Sequence, residues 1–327
     1  MKNHGLHAIA LALALFSAGV PALGADSAKD YPNRPVRLIV PNAPGSAVDT
    51  LSRIVGAELS NTIGQQVVMD NRPGAAGIIA MEIAKNANPD GYTLISATTA
   101  ASTIARLLQK QALFHPVNDY DYVAQYAVTL NVLVVNPSLP IKSVKEFVAY
   151  GKSGKTPFNM ASAGAGSQSH LSGAYFLQQA GFQSLHVPYK GGGPSSASVV
   201  ANESQWTLIP APAAMVHVNA GRMRALAHTL PKPTPLLPNI PPLADTIPGF
   251  DYSGWMGFFM PKGTPKAIND KVRAALVKAM GTPLVKKGMA IQATEIAILG
   301  PAEFRKVVQE SMVQNEKLVK SLGLTTN

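Results

Sequence analysis

The chain has 327 residues, 46% of them hydrophobic and only 14% charged, which excludes a disordered chain and gives length enough for two α/β units with cores of their own. The formal charge is +10, but the lysines and arginines are scattered, without basic runs or interleaved aromatics; this excludes a nucleic-acid surface and leaves small anions as what such a field would steer. Cysteine is absent, so disulfides, thiol nucleophiles and a lipid-modified cysteine are excluded as well.

The N-terminus reads as a secretory leader. Lys2 supplies a positive start, residues 8–16 (AIALALALF) form a short apolar core, and Ala22-Leu23-Gly24 puts small residues where cleavage before Ala25 requires them. The apolar core is shorter than the roughly 20 residues a spanning helix needs. An exported, cysteine-free chain without an anchor suits a Gram-negative periplasm, and removal of Lys2 leaves a charge of +9.

The first expected strand is 36–40 (VRLIV), a β-branched run that stops at a turn, Ala43-Pro44-Gly45-Ser46, before a helix over about 47–60. A strand at 66–69 leads to a helix around 75–86, and a strand at 92–96 leads to the small-residue loop ATTAAS (97–102). Strands at 131–136, 158–161, 185–189, 206–209 and 224–227 then alternate with helices around 143–152, 168–180, 195–202 and 213–220. The proline-rich stretch 230–248 reads as a surface connector, and helices follow at 265–280, with Pro265 in its first turn, and 301–322. Strands alternating with helices argue for parallel sheets with crossover helices. One 300-residue sheet is improbable on size, so two α/β lobes are expected: 1–24 as leader, 25–127 with 228–327 as lobe one, and 128–227 as lobe two.

Four strand-to-helix loops share one character. They are residues 43–46, 97–102, SAGAGSQSH (162–170) and PYKGGGP (188–194). In parallel α/β sheets such loops gather at the carboxyl edge, where ligands bind. Small residues let the backbone come close, and the hydroxyls of Thr98, Thr99, Ser102, Ser162 and Ser167 add donors, so the four together make a coherent anion pocket. Glycine and serine also make ordinary turns, and Asp49, in a first helical turn, reads as a dipole-matching cap rather than a group that touches a carboxylate.

Enzyme motifs fit poorly. The run from Gly151 to Thr156 has Ala149 where a P-loop needs its first glycine, and it follows a helix rather than a strand. Around Ser167 a nucleophile elbow would need glycines at the positions of Ala165 and Ser169. His115, His186, His217 and His228 lack metal-like spacing. No catalytic residue, metal or cofactor is expected.

Taken in order, YPNRPVRLIVPNAPGSAVD (31–49), DNRPGAAG (70–77), PDGYTL (89–94), SAGAGSQSHL (162–171), HVPYKGGGP (186–194), AGRMRALA (220–227) and PKGTP (261–265) resemble the Bug-type periplasmic receptors of tripartite tricarboxylate transporters. The resemblance covers nearly all of the chain beyond the leader. It implies an α/β, type II-like periplasmic binding protein: two lobes, a hinge and an interlobe cleft. The implied ligand is a small organic carboxylate held by amides, hydroxyls and bridging waters, and the implied partners are transporter membrane subunits, the receptor acting as a monomer. Carried over by position, lobe one contributes Ala43, Pro44, Gly45, Ser46, Thr98 and Thr99. Lobe two contributes Ala163, Gly164, Gly166, Ser167 and His170, with Lys190 and Gly191 close by.

Two departures bear on the ligand. Asn42 stands where the family usually has an aromatic, and Gly45-Ser46 replaces two glycines. Where many members carry Asp-Asn after a strand, this chain has Ile209-Pro210. Lacking that acid, the pocket suits a ligand without an amine, and Ile209 is expected to make its wall apolar. A dicarboxylate with an apolar or aromatic body, such as terephthalate, fits this reading. Two alternatives stay open here: a receptor serving a signalling sensor, and a hydrolase using Ser167 with His170.

Overall fold

The computed structural model describes residues 29–109, 112–154 and 158–324; the leader at 1–24 and Thr156 lie outside the described residues. The chain builds two mixed α/β sheets, each covered on both faces by helices. In the first lobe the strand order is β11-β4-β10-β3-β1-β2, with β1 Val36–Val40, β2 Val67–Asn71, β3 Thr93–Thr98, β4 Tyr120–Thr129, β10 Gly254–Pro261 and β11 Thr294–Leu299. In the second it is β7-β6-β8-β5-β9, with β5 Asn131–Val135, β6 Met160–Ser162, β7 His186–Pro188, β8 Trp206–Pro210 and β9 Arg224–His228. The helices are α1 Ala47–Ile63, α2 Ile78–Lys85, α3 Ala105–Leu108, α4 Val144–Lys152, α5 Gln168–Ala180, α6 Gly192–Val200, α7 Ala211–Asn219, α8 Lys266–Met280, α9 Pro283–Ile291 and α10 Pro301–Ser321.

Strand β1 pairs in parallel with β2 and β3, and β6 in parallel with β7 and β8. These parallel strands end in the small-residue loops and helix starts expected of them. The sheets are nevertheless mixed rather than parallel throughout: β10 runs antiparallel to both β3 and β4, β11 to β4, and β5 to β8 and β9. Strands β4, β10 and β11 and helices α3 and α9 have no counterpart among the expected elements. Strand β10 (GWMGFFMP) is buried along all eight residues, so it shows no alternation, and a glycine interrupts its apolar run.

That glycine has a packing reason. A Cβ on Gly257 would lie 2.3 Å from the Phe304 ring and 2.7 Å from the Ala124 carbonyl oxygen. Phe304, fully buried on α10, packs into this gap with Trp255 and Phe259. One face of the first sheet thus carries α1, α8 and α9, and the other α2 and α10.

The lobes are joined by β4 passing into β5 through Leu130, and by the stretch between β9 and β10. Packing shifts the second boundary from the sequence reading. Leu230, Leu237, Leu243, Ile247, Phe250 and Tyr252 are buried against the second sheet and its helices. Residues 230–252 therefore belong to lobe two, and the return to lobe one comes at Gly254 rather than at 228. Helix α10 links the lobes a third time, with Phe304 and Val308 in the first core and Leu318 and Val319 in the second. Ile104, in the turn leading into α3, also sits in the second core beside Phe147 and Trp206.

Replacing Gly257 with Ala should overpack the α10 seat, because the backbone oxygen of Ala124 cannot swing away as a side chain would. The expected loss is about 1–3 kcal/mol in urea denaturation, with the slope unchanged.

Candidate functional site

The carboxyl ends of β1 and β3 in lobe one, and of β6, β7 and β8 in lobe two, each lead directly into a helical segment. A helix start leaves its first N–H groups without intrahelical acceptors and carries about half a positive charge. The start of α5 and the Thr98–Thr99 turn approach each other at Gly254, where an ideal Cβ would lie 2.9 Å from Gln168 Nε2 and 3.7 Å from Thr99 Oγ1.

In lobe one, Ser46 caps α1, its Oγ accepting from the Asp49 amide at 3.2 Å. The amides of Ala47 and Val48, the first two helical residues, have no acceptor within the helix. Asp49 is 2% exposed. Its Oδ2 accepts from the Gly45 amide at 2.8 Å and from Arg53 Nε at 3.0 Å, and its Oδ1 from Asn71 Nδ2 at 2.8 Å. Burial pushes its carboxyl upward, but the Arg53, Gly45 and Asn71 donors outweigh that and hold it below the usual carboxylate range. Asp49 thus shapes the exposed loop of Ala43, Pro44 and Gly45 and presents no free oxygen to the cleft. Thr98 Oγ1 accepts from the Ala101 amide at 3.1 Å and Thr99 Oγ1 from the Trp255 amide at 2.9 Å. Both hydroxyls are used as acceptors, which leaves their protons to donate.

In lobe two, side chains hold the loop 162–167 from within. The Ala163 amide donates to Ser169 Oγ at 2.9 Å, the Gly164 amide to Ser162 Oγ at 3.2 Å and the Gly166 amide to His170 Nδ1 at 3.0 Å. Ser167 caps α5, its Oγ accepting from the His170 amide at 3.3 Å, and the N1 and N2 amides belong to Gln168 and Ser169. Gly166, with φ +74°, has no room for a side chain: a Cβ would lie 2.4 Å from Leu108 Cδ1 of lobe one. Gly191 donates to the Ala163 carbonyl at 3.2 Å and so ties the start of α6 to the same loop, with Lys190 exposed beside it.

His170 Nδ1 is engaged by the Gly166 amide. Its ring stacks on His186 at 3.8 Å with 4° between planes, and both line a 370 Å³ cavity beneath Leu318 and Leu322. His186 Nε2 lies 2.6 Å from Ser162 Oγ. The pair supports the loop from behind. Since Nδ1 of His170 accepts, the neutral ring carries its proton on Nε2. Ser167 and His170 do not form a nucleophile–base pair, because Ser167 Oγ meets the His170 backbone and not its ring. Ile209 is 1% exposed and packs in the lobe core with Val132, Ala211 and Ala214. The exposed residue at the cleft end of β8 is its neighbour Pro210.

Sequence reasoning passed over one point where the two lobes meet. An ideal Cβ on Gly254 would lie 2.4 Å from Thr129 Oγ1, 2.9 Å from Gln168 Nε2 and 3.7 Å from Thr99 Oγ1. Polar groups from both lobes therefore converge over that glycine. Gln168, the long polar side chain in a run of Gly, Ala and Ser, carried the one readable signal.

Residues 51–324 match the family described as Tripartite tricarboxylate transporter family receptor. A "UPF0065 protein in tcbD-tcbE intergenic region" from Pseudomonas sp. (strain P51) is 30% identical over 328 residues, spanning 100% of this chain and 96% of that one. Among solved structures, R. palustris Rpa4515 with adipate superimposes with a TM-score of 0.78 at 30% identity, covering 90% of this chain and 99% of that one. MatC (Rpa3494) from Rhodopseudomonas palustris with bound malate does so with a TM-score of 0.73 at 28% identity, covering 88% and 100%.

Burial and the neighbouring His186 pull His170 from its ordinary 6.5 down to about 4. Between those values the unfolded chain binds more protons than the folded one. The stability His170 contributes is therefore whole above about pH 6.5 and drains as pH falls toward 4. Melting curves from pH 7.5 to 4.5 should show this decline, and His170→Asn, whose amide oxygen can still accept from Gly166, should flatten it by about 2–3 kcal/mol.

Proposed function

The chain belongs to the tripartite tricarboxylate transporter receptor family, and from that membership we propose that it captures a small dicarboxylate with an apolar body and delivers it to the membrane subunits of such a transporter. Its class is a periplasmic solute-binding receptor and not an enzyme. What supports the ligand reading is that strands of both sheets run into helix starts, β1 and β3 before α1 and the Thr98–Thr99 turn, β6 and β7 before α5 and α6, and that Thr99 Oγ1 and Gln168 Nε2 both lie close to Gly254. Two electropositive edges that face one another suit a molecule with an anionic group at each end. Adipate and malate, which Rpa4515 and MatC hold, are molecules of that kind.

Binding proceeds by capture and closure. A carboxylate first meets the amides and hydroxyls of one lobe, and the second lobe supplies donors only as the cleft shuts, so the ligand draws the equilibrium toward the closed form. Ser46, Thr98, Thr99 and the starts of α5 and α6 are the groups that contact it, with waters completing the shell. Asp49 has its oxygens consumed by Gly45, Arg53 and Asn71, and no acid follows β8. A ligand ammonium would find no partner, which argues against amino acids. Pro210, exposed at the end of β8, takes over from Ile209 as the apolar wall. Burying a ring or methylene chain against it contributes at about 25 cal/mol per Å², and terephthalate, with a phenylene ring between its carboxylates, is a ligand of this class.

Calorimetric titration with terephthalate, adipate, malate and glutamate tests this. Terephthalate or adipate should bind at least tenfold tighter than glutamate, and at a hundredfold excess over Kd should stabilise the fold by about 2.7 kcal/mol. Preference for glutamate, or for a monocarboxylate, would overturn the dicarboxylate reading.

A further inference from the structure

Loop 162–167 is the proposed ligand loop of lobe two, and three of its amides are held by side chains. Ala163 donates to Ser169 Oγ and Gly164 to Ser162 Oγ, hydroxyl acceptors that acid does not remove. Gly166 donates to His170 Nδ1 at 3.0 Å. A neutral imidazole has one accepting nitrogen and an imidazolium has none, so a proton on His170 sets two N–H groups against each other across that distance.

The surroundings do not offset such a charge. His170 is 6% exposed, and its ring lies flat on that of His186, 3.8 Å away. The 370 Å³ cavity beside the pair has no Asp, Glu, Lys or Arg in its lining. On the elements packed around it, Lys152 of α4, Lys190 after β7 and Glu316, Lys317 and Lys320 of α10 are exposed. Arg106 of α3 donates to the Phe114 carbonyl at 3.0 Å. Burial and His186 accordingly hold His170 neutral well below its ordinary range. His186 is in a different position: its Nε2 lies 2.6 Å from Ser162 Oγ, and a hydroxyl can bond that nitrogen with or without its proton. The acid-sensitive contact is the one between His170 and Gly166.

We propose that the stacked pair is a proton-operated catch on this loop. Protonation of His170 breaks the bond to Gly166, and the ring turns into the cavity behind it, where Gln178 and Gln183 offer amide oxygens. Loop 162–167 then loses the shape that presents the start of α5, and acid releases the ligand. By linkage, ligand binding favours the neutral ring, and affinity falls as pH falls. The release rests on the proposed role of the α5 start in binding; the catch itself does not.

Proton–nitrogen spectra of the ligand-free protein from pH 7.5 to 3.5 test the catch. The Gly166 amide and the His170 ring nitrogens should titrate with one midpoint, Nδ1 carrying no proton above it, while the amides of lobe one stay in place. In His170→Asn, whose amide oxygen accepts from Gly166 at every pH, the Gly166 resonance should not titrate. A Gly166 amide that stays put while the His170 ring titrates, or one that moves only when the whole fold is lost, would overturn the catch. These wild-type spectra decide it even if His170→Asn fails to fold. Adipate tests the release. The ratio of its dissociation constants, wild type over His170→Asn, cancels the protonation of adipate itself and should rise about tenfold per pH unit below the midpoint. A ratio independent of pH would overturn the release. Adipate bound by neither protein at pH 7.5 would count against the dicarboxylate reading instead, with the catch still decided by the spectra.

Discussion

A helix cannot satisfy the first amides of its own backbone, and much of this fold depends on how that shortfall is distributed. Several strands end at the cleft edge, and each hands its chain to a helical segment whose start needs acceptors. Short side chains take up part of the need. Ser46 and Ser167 cap their own helices, while Asp49, Ser162, Ser169 and His170 bind the loop amides and fix the loops' shape. What remains are the N1 and N2 amides and a few hydroxyl protons. These are preorganised donors, which an anion meets without first having to displace a cationic side chain.

The same economy explains why the lobes are not independent bodies. Ile104, in the turn that follows Thr98 and Thr99, is buried in the core of the opposite lobe. Asn315 on α10 is 2% exposed; it accepts from Tyr252 Oη at 2.7 Å, and its Nδ2 lies 3.3 Å from Thr103 Oγ1. One buried amide thus ties the terminal helix, the crossing stretch and the lobe-one ligand turn together.

The sequence made legible the elements that follow local rules. Strands β1, β3, β6, β7 and β8 announce themselves as β-branched or apolar runs ended by small residues. What was not legible rests on distant partners. Strand β10 is buried on both faces and broken by Gly257, whose reason is Phe304, far along the chain. The Leu and Phe anchors of 230–252 are hidden among prolines, so composition alone reads as a connector. Because the side-chain period of a strand is two, Ile209 turns into the lobe core and its neighbour Pro210 is left exposed. The His170 ring stacks on His186 of the neighbouring strand, a partner that no local spacing announces. The family resemblance, carried by motifs spread over the whole chain, was the most informative signal.

The central claim is that helix-start amides from both lobes, and not lysine or arginine side chains, hold the two ends of the ligand. A crystal structure of the protein with a bound dicarboxylate tests it most directly. The account predicts one carboxylate within hydrogen-bond or single-water reach of the start of α1 or the Thr98–Thr99 turn, and the other at the start of α5 or α6. A ligand held by one lobe alone, or carboxylates paired to Lys190 or another cationic side chain with these amides unengaged, would contradict it.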